Sequence, residues 1–196
     1  MLNQLFYCYI QSMSEFEKMI SGQMYNASDP ELTAMRARVR DLLTELNSTA
    51  QDTKTSGRLD LCSKIFGTVA GQLWLQPPFY CDYGRNILIG NNVFINFNCI
   101  FLDVAPITIG EAVKIGPNVQ LYTATHPLNW QQRREGQEYG KPITIGNDVW
   151  IGGGAIICPG VTVGEKSVIG AGTVVTKNVP AGVVIAGNPG KVLKQV

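Results

Sequence analysis

The sequence predicts a mainly β protein: a parallel β-helix preceded by a small α-helical segment. Three observations carry this. First, from Ile145 an aliphatic residue recurs every six positions, at Ile151, Ile157, Val163, Ile169 and Val175. The same beat appears earlier at Ile89, Ile95, Ile109 and Ile115. Second, glycine usually follows that residue, as in Gly90, Gly110, Gly116, Gly146, Gly152, Gly164 and Gly170, and a small or β-branched residue stands four places after it, at Val149, Ala155, Val161, Ser167, Thr173 and Val179. Third, residues 13–67 carry a different pattern, with apolar residues three and four apart. A period of six is no helix face, because six is a poor multiple of ~3.6 residues per turn. It suits a prism in which each unit is one short strand and one tight corner. The aliphatic residue points inward and the glycine is expected to permit the corner's backbone geometry.

Residues 1–12 read as a disordered or extension segment ahead of Met13. Their apolar stretch, Leu5 to Ile10, is too short for a secretory signal and lacks a basic start. Glu15 to Ser21 reads as a short helix. Asp29-Pro30 opens a longer one, with Asp as N-cap and Pro in the first turn. Leu32, Met35, Val39, Leu42, Leu43 and Leu46 give it one apolar face. Residues 47–55 are polar and predict a loop. A third helix carries Leu59, Cys62, Ile65 and Phe66 on its buried side and ends at Gly67. Residues 68–196 form the β-helix, entered through an irregular coil from Trp74 to Gly84.

The beat has two faults. Two residues are inserted between Ile89 and Ile109, near Asp103 to Pro106. Between Leu121 and Ile145 the pattern vanishes into a polar run, so residues 127–142 predict a loop thrown out from a corner. Loops on a rigid scaffold are where function concentrates. This one carries Leu128 and Trp130, and burying a large apolar side chain is worth ~1.5–3 kcal/mol. A neighbouring subunit is the obvious cover.

Composition bounds the function. The chain has 196 residues, 45% of them hydrophobic, and a formal charge of +1. That is long enough for a sizeable core and too neutral for a nucleic-acid scaffold. No apolar run reaches the ~18 residues of a membrane span. Five scattered cysteines with no C-x-x-C spacing argue against a disulfide framework or a zinc site, and a reducing cytoplasm is the natural compartment.

His126 is the sole histidine and stands at the root of the polar run. It reads either as a corner histidine satisfied by backbone or as a general base, for which its ordinary pKa of ~6.5 suits neutral pH. One histidine excludes a three-histidine metal site. Asp82, Asn96 and Asp103 are polar on or beside early coils. Asn96 takes the place usually held by glycine, and reads either as a left-handed corner or side-chain ladder, or as a hydroxyl-binding group. Trp150-Ile151-Gly152-Gly153-Gly154 is a smooth surface beside a flat aromatic, which eases coil stacking or lets an extended ligand lie on backbone. Lys177, Lys191 and Lys194 are either solvated or meet phosphates.

Together these pieces resemble the maltose and galactoside O-acetyltransferases, a branch of the hexapeptide-repeat acyltransferases. The resemblance spans residues 14–194. Its markers are Met19-Ile20-Ser21-Gly22-Gln23-Met24-Tyr25, Asp29-Pro30-Glu31-Leu32, Cys81-Asp82-Tyr83-Gly84, Asn96-Phe97-Asn98 and Phe101-Leu102-Asp103. They continue with Tyr122-Thr123-Ala124-Thr125-His126-Pro127, Val149-Trp150-Ile151-Gly152-Gly153, the run from Gly170 to Lys177, and Gly187-Asn188-Pro189. The resemblance implies a left-handed β-helix and a homotrimer with clefts between subunits. It implies acetyl-CoA as donor, a sugar hydroxyl as acceptor and no metal. By it, His126 is the general base; Asp82, Asn96 and Asp103 are acceptor-side; and Trp150, Gly153, Ala171, Thr176, Lys177, Lys191 and Lys194 line the CoA channel. One acceptor-side aspartate of the galactoside enzymes falls on Val104 and another about Ala27, so the match leans to the maltose type. Other readings of the residues are transfer to an antibiotic or amino-sugar acceptor, and a non-catalytic β-helix.

Overall fold

The computed structural model of the chain describes residues 13–49 and 55–196. The expected extension at 1–12, and most of the expected loop at 47–55, lie outside the described residues. Three helices come first: α1 (Glu15–Ile20), α2 (Pro30–Ser48) and α3 (Thr55–Ile65). Ser14 caps α1 in a capping box, with Glu17 N donating to Ser14 Oγ and Ser14 N to a Glu17 carboxylate oxygen. Asp29 caps α2 through the N–H of Glu31, just before Pro30. The predicted face of α2 is the buried one, at Leu32, Val39, Leu43 and Leu46. It covers the open end of the β-helix. There Asn47 pairs with the Phe79 backbone through both ends of its amide, at 2.8 and 3.0 Å, as a neighbouring strand would.

The rest is a parallel β-solenoid with three faces. The first holds β2 (Thr68–Val69), β5 (Ile87–Ile89), β8 (Ile107–Ile109), β13 (Ile143–Ile145) and β16 (Thr162–Val163). The second holds β3 (Leu73–Leu75), β6 (Val93–Ile95), β9 (Lys114–Ile115), β14 (Trp150–Ile151), β17 (Val168–Ile169) and β19 (Val183–Ala186), closed by the antiparallel β20 (Lys191–Gln195). The third holds β4 (Phe79–Cys81), β7 (Cys99–Leu102), β10 (Gln120–Tyr122), β15 (Ile156–Ile157) and β18 (Val174–Val175). The six-residue beat becomes vertical rows. On the second face Leu75, Ile95, Ile115, Ile151, Ile169 and Ile185 stack in register. All are buried.

Two expectations are corrected. Trp74 to Gly84 is not irregular: it holds two regular strands of the first coil, β3 and β4, paired in register with the coil above. The glycine after each aliphatic residue is not the corner's left-handed residue. That role falls two places later, on Asn92, Asn98, Ala112, Asn118, Asp148 and Lys166, all with φ between 55° and 59°. The glycine is there because the coils touch. A Cβ on Gly90 would lie 2.7 Å from the backbone of Gly110, and one on Gly152 would lie 2.6 Å from Ala171 N.

Candidate active site

Every departure from the beat falls on one edge of the prism, where the chain passes from the third face to the first. The lowest coil inserts residues around Asp82–Asn86, the next around Asp103–Pro106, and the third throws out the long excursion after Tyr122. Stacking sets these three insertions over one another. The excursion is more ordered than the expected loop. It contains a short helix, α4 (Trp130–Arg134), capped by Asn129, and β12 (Gln137–Gly140). β12 is the middle strand of a small antiparallel sheet, between β1 (Tyr25–Asn26) and β11 (Ala124–Thr125). Its return is tight: a Cβ on Gly140 would stand 2.7 Å from the Ala105 side chain. Leu128 and Trp130 are exposed in the single chain, and Arg134 lies over the Trp130 ring.

His126 follows β11 and is exposed. Its Nδ1 lies 3.2 Å from the carbonyl oxygen of Gln137 on β12. A carbonyl only accepts, so the contact is a hydrogen bond when Nδ1 carries the proton. In neutral imidazole that leaves Nε2 with its lone pair, facing away from the contact. This is the tautomer a general base needs.

Below it sits an acidic wall. Asp103 is fully buried, and one carboxylate oxygen accepts the backbone N–H groups of Asp82 and Tyr83. Among the described residues its other oxygen has no hydrogen-bond partner. Burial pushes its carboxyl up to about 7. Asp103 thus touches no open surface of the described chain; it holds Asp82 in position. Asp82 is half-buried, and its carboxyl is raised first by burial and then by the charge of Glu138, with Arg36 and Arg40 opposing. Glu138 carries no signal of its own in the sequence. It lies in the polar run, and only the pairing of β12 with β1 brings it to Tyr25, whose hydroxyl donates to Glu138 Oε1 at 2.7 Å.

Five of the remaining predicted residues divide between two edges, and Trp150, Lys191 and Lys194 lie on strands of the second face. Thr176 and Lys177 follow β18 on the same edge as His126, and both are exposed. Asn96, Gly153 and Ala171 stand on the opposite edge of the third face, after β6, β14 and β17. There a groove of about 460 Å³ runs along Asn96, Lys114, Trp150, Gly153 and Ala171. Asn96 is not a left-handed corner; its Oδ1 accepts from Phe97 N at 2.8 Å, and that left-handed role belongs to Asn98. The groove's floor needs glycine at Gly116, since a Cβ there would lie 2.6 Å from Gly153 N. Trp150 projects from β14, 57% exposed. Lys191 and Lys194 are exposed on β20. Among the described residues no group of three His, Cys, Asp or Glu is placed to hold a metal ion, and no helix is long and apolar enough to cross a membrane.

A solenoid of six-residue units with a histidine at a stacked corner and a glycine-floored groove on the next edge defines a hexapeptide-repeat acyltransferase. Comparison with known proteins carries this further. Residues 18–71 match the maltose acetyltransferase hexapeptide capping motif, and residues 142–177 match the bacterial transferase hexapeptide family of six repeats. A maltose O-acetyltransferase from Clostridium difficile 630 is 48% identical, superposes with a TM-score of 0.92, and is matched over 94% of this chain and 98% of its own. A galactoside acetyltransferase in complex with coenzyme A is 41% identical, with a TM-score of 0.89 over 94% of this chain and 92% of its own. A hexapeptide-repeat acetyltransferase from Vibrio cholerae O1 biovar eltor, complexed with acetyl coenzyme A, is 40% identical, with a TM-score of 0.87 over 93% and 98%. The chain belongs to the maltose/galactoside O-acetyltransferase family, and it is an acetyltransferase.

Proposed function

We propose that the protein transfers acetyl from acetyl-CoA to a hydroxyl of a sugar, with His126 as general base, in clefts that neighbouring chains of a homotrimer build together. The observation that carries the chemistry is the contact from His126 Nδ1 to Gln137 O, which sets Nε2 free to accept a proton. In this reading Nε2 takes the proton of the acceptor hydroxyl as its oxygen forms a bond to the thioester carbon. The developing oxyanion is met by N–H donors, among them the Asn96 side-chain amide. Collapse breaks the C–S bond, and the thiolate of CoA recovers the proton from His126. Holding both substrates in one cleft makes direct attack feasible without an acetyl-enzyme.

The sugar is supported by the carboxylates of Asp82 and Glu138 near His126, which suit hydroxyl donors, and by the relatives named above. Acetyl-CoA is supported by the glycine-floored groove and by the two relatives holding coenzyme A or acetyl coenzyme A. The shared cleft is supported by the division of residues between two edges of the third face. One chain's His126 edge, with Thr176 and Lys177, would meet the next chain's Asn96, Gly153 and Ala171 edge. A screen of acetyl transfer to glucose, maltose, galactosides and aminoglycosides tests the acceptor. His126→Ala should lower kcat by ~10²–10⁴, the usual worth of general acid–base catalysis. Near-normal turnover of that variant, with its fold intact, refutes the role.

A further inference from the structure

We infer that Glu138 is an acceptor-binding residue that, together with Asp82, takes hydrogen bonds from donor groups on the acceptor beside the hydroxyl that reacts at His126. This rests on the sugar O-acetylation reading above.

The small three-stranded sheet supplies the geometry. On one side of β12, Tyr25 is the partner of Glu138. On the other, Ala124 pairs with Gly140 and Thr125 with Tyr139. One further step of that antiparallel register sets His126 across from Glu138. Cross-strand partners project from the same face of a sheet with Cβ atoms ~4.5–5.5 Å apart. Tyr25, Glu138 and His126 therefore form one row. The row lies on the face turned toward the helical cap, since Tyr25 and Ala124 both pack into the apolar cluster of Met19, Leu32, Tyr83 and Val104.

Tyr25 is 4% exposed, so its hydroxyl is a fixed post. It donates to Glu138 Oε1, the one hydrogen bond that holds this carboxylate among the described residues. Oε2 is left to accept. Asp82 comes to the same place from the lowest coil, clamped through its backbone by Asp103. The groups acting on its carboxylate are Glu138, Arg36 and Arg40, and Arg36 is itself tied to the Tyr83 hydroxyl and the Ala27 carbonyl. The charge of Glu138, facing the same half-buried space, disfavours the charge of Asp82. A purely structural pair would be better served by an amide. Donor groups on a ligand satisfy both carboxylates at once, which is the service a polyol or an amino sugar supplies.

The test uses the best sugar acceptor from the screen, its monodeoxy analogues and the corresponding aminodeoxy analogues, with wild type, Glu138→Ala, Glu138→Gln and Tyr25→Phe. Wild type should lose about tenfold or more in kcat/KM against one monodeoxy sugar, because a site built to bond a donor rejects the analogue lacking it. The aminodeoxy analogue at that position should keep activity. Glu138→Ala should raise the acceptor KM, leave the KM for acetyl-CoA unmoved, and treat the parent and that deoxy sugar alike. Glu138→Gln, which keeps a carbonyl acceptor, should retain part of the discrimination. Tyr25→Phe removes the same internal hydrogen bond but keeps the carboxylate, so it should keep the discrimination. If Glu138→Ala still rejects the deoxy sugar as wild type does, or leaves the acceptor KM unchanged, the inference is overturned while sugar acetylation stands. If wild type acetylates no sugar, the functional reading falls and this inference with it.

Discussion

One carboxylate oxygen of Asp103 accepts the backbone N–H groups of Asp82 and Tyr83, at 3.0 and 2.9 Å, across the step between two stacked coils. The same carboxylate has a second, buried oxygen without a partner among the described residues. The first contact makes Asp103 the fastener of the acidic wall. The second makes its protonation part of the fold's stability.

Burial holds the Asp103 carboxyl near 7, against an ordinary value of 3.8. The folded state therefore keeps this proton more tightly than the unfolded chain does. The stabilisation is fully present below the unfolded value and is lost as pH rises through about 7. Asp103→Asn keeps a carbonyl to accept both N–H groups and removes the titration. Its urea midpoint should vary less than that of wild type between pH 4 and 8.5, with the largest gain over wild type at the alkaline end. Asp82, also raised, leaves a smaller slope of the same sign. Identical pH profiles for the two proteins would rule this out.

Lys177, Lys191 and Lys194 are expected to meet the phosphates of CoA. Changing each to Ala should raise the KM for acetyl-CoA several-fold, more at low ionic strength than at high, and leave the acceptor KM largely alone. All three are exposed, so the fold should be unaffected. An unmoved KM for acetyl-CoA in all three variants refutes the assignment.

The shared cleft predicts complementation. His126→Ala removes the base from one edge, and Ala171→Trp blocks the groove on the other. Each variant alone should be nearly inactive and sediment at three times the 21.4 kDa chain mass. Dissociated and reassembled together at equal amounts, they should regain roughly a quarter of the wild-type sites, since a random trimer pairs an intact edge with an intact edge that often. If each chain holds a whole site, mixing restores nothing.

Much of this architecture is legible in the order of the residues. The aliphatic residues at Ile89, Ile109, Ile145 and Val163 announce their row because a stacked solenoid repeats the same local environment every turn. His126 is marked by the loss of that beat, since an excursion must leave from a corner. The coil from Trp74 to Gly84 is harder to read. Val69, Leu75 and Cys81 keep the six-residue spacing, but no glycine follows them, and the residues inserted at Asp82–Asn86 shift the beat by two before Ile89, so the repeat is masked. The order within residues 127–142 is hidden as well, because β12 has no aliphatic row of its own and is held by pairing with β1 and β11.

The sequence by itself determined the solenoid, the capping helices and the histidine. These depend on local period, on capping chemistry and on a single residue of its type. The tertiary structure alone decided that Glu138 meets Tyr25, 113 residues away in the chain, and that Asp103 faces inward to fasten Asp82. It also decided that His126, Thr176 and Lys177 share one edge of the prism while Asn96, Gly153 and Ala171 share another. Register between distant strands and the stacking of inserted corners set these relationships. Neither leaves a periodic trace, because each is made once, between segments that share no local pattern.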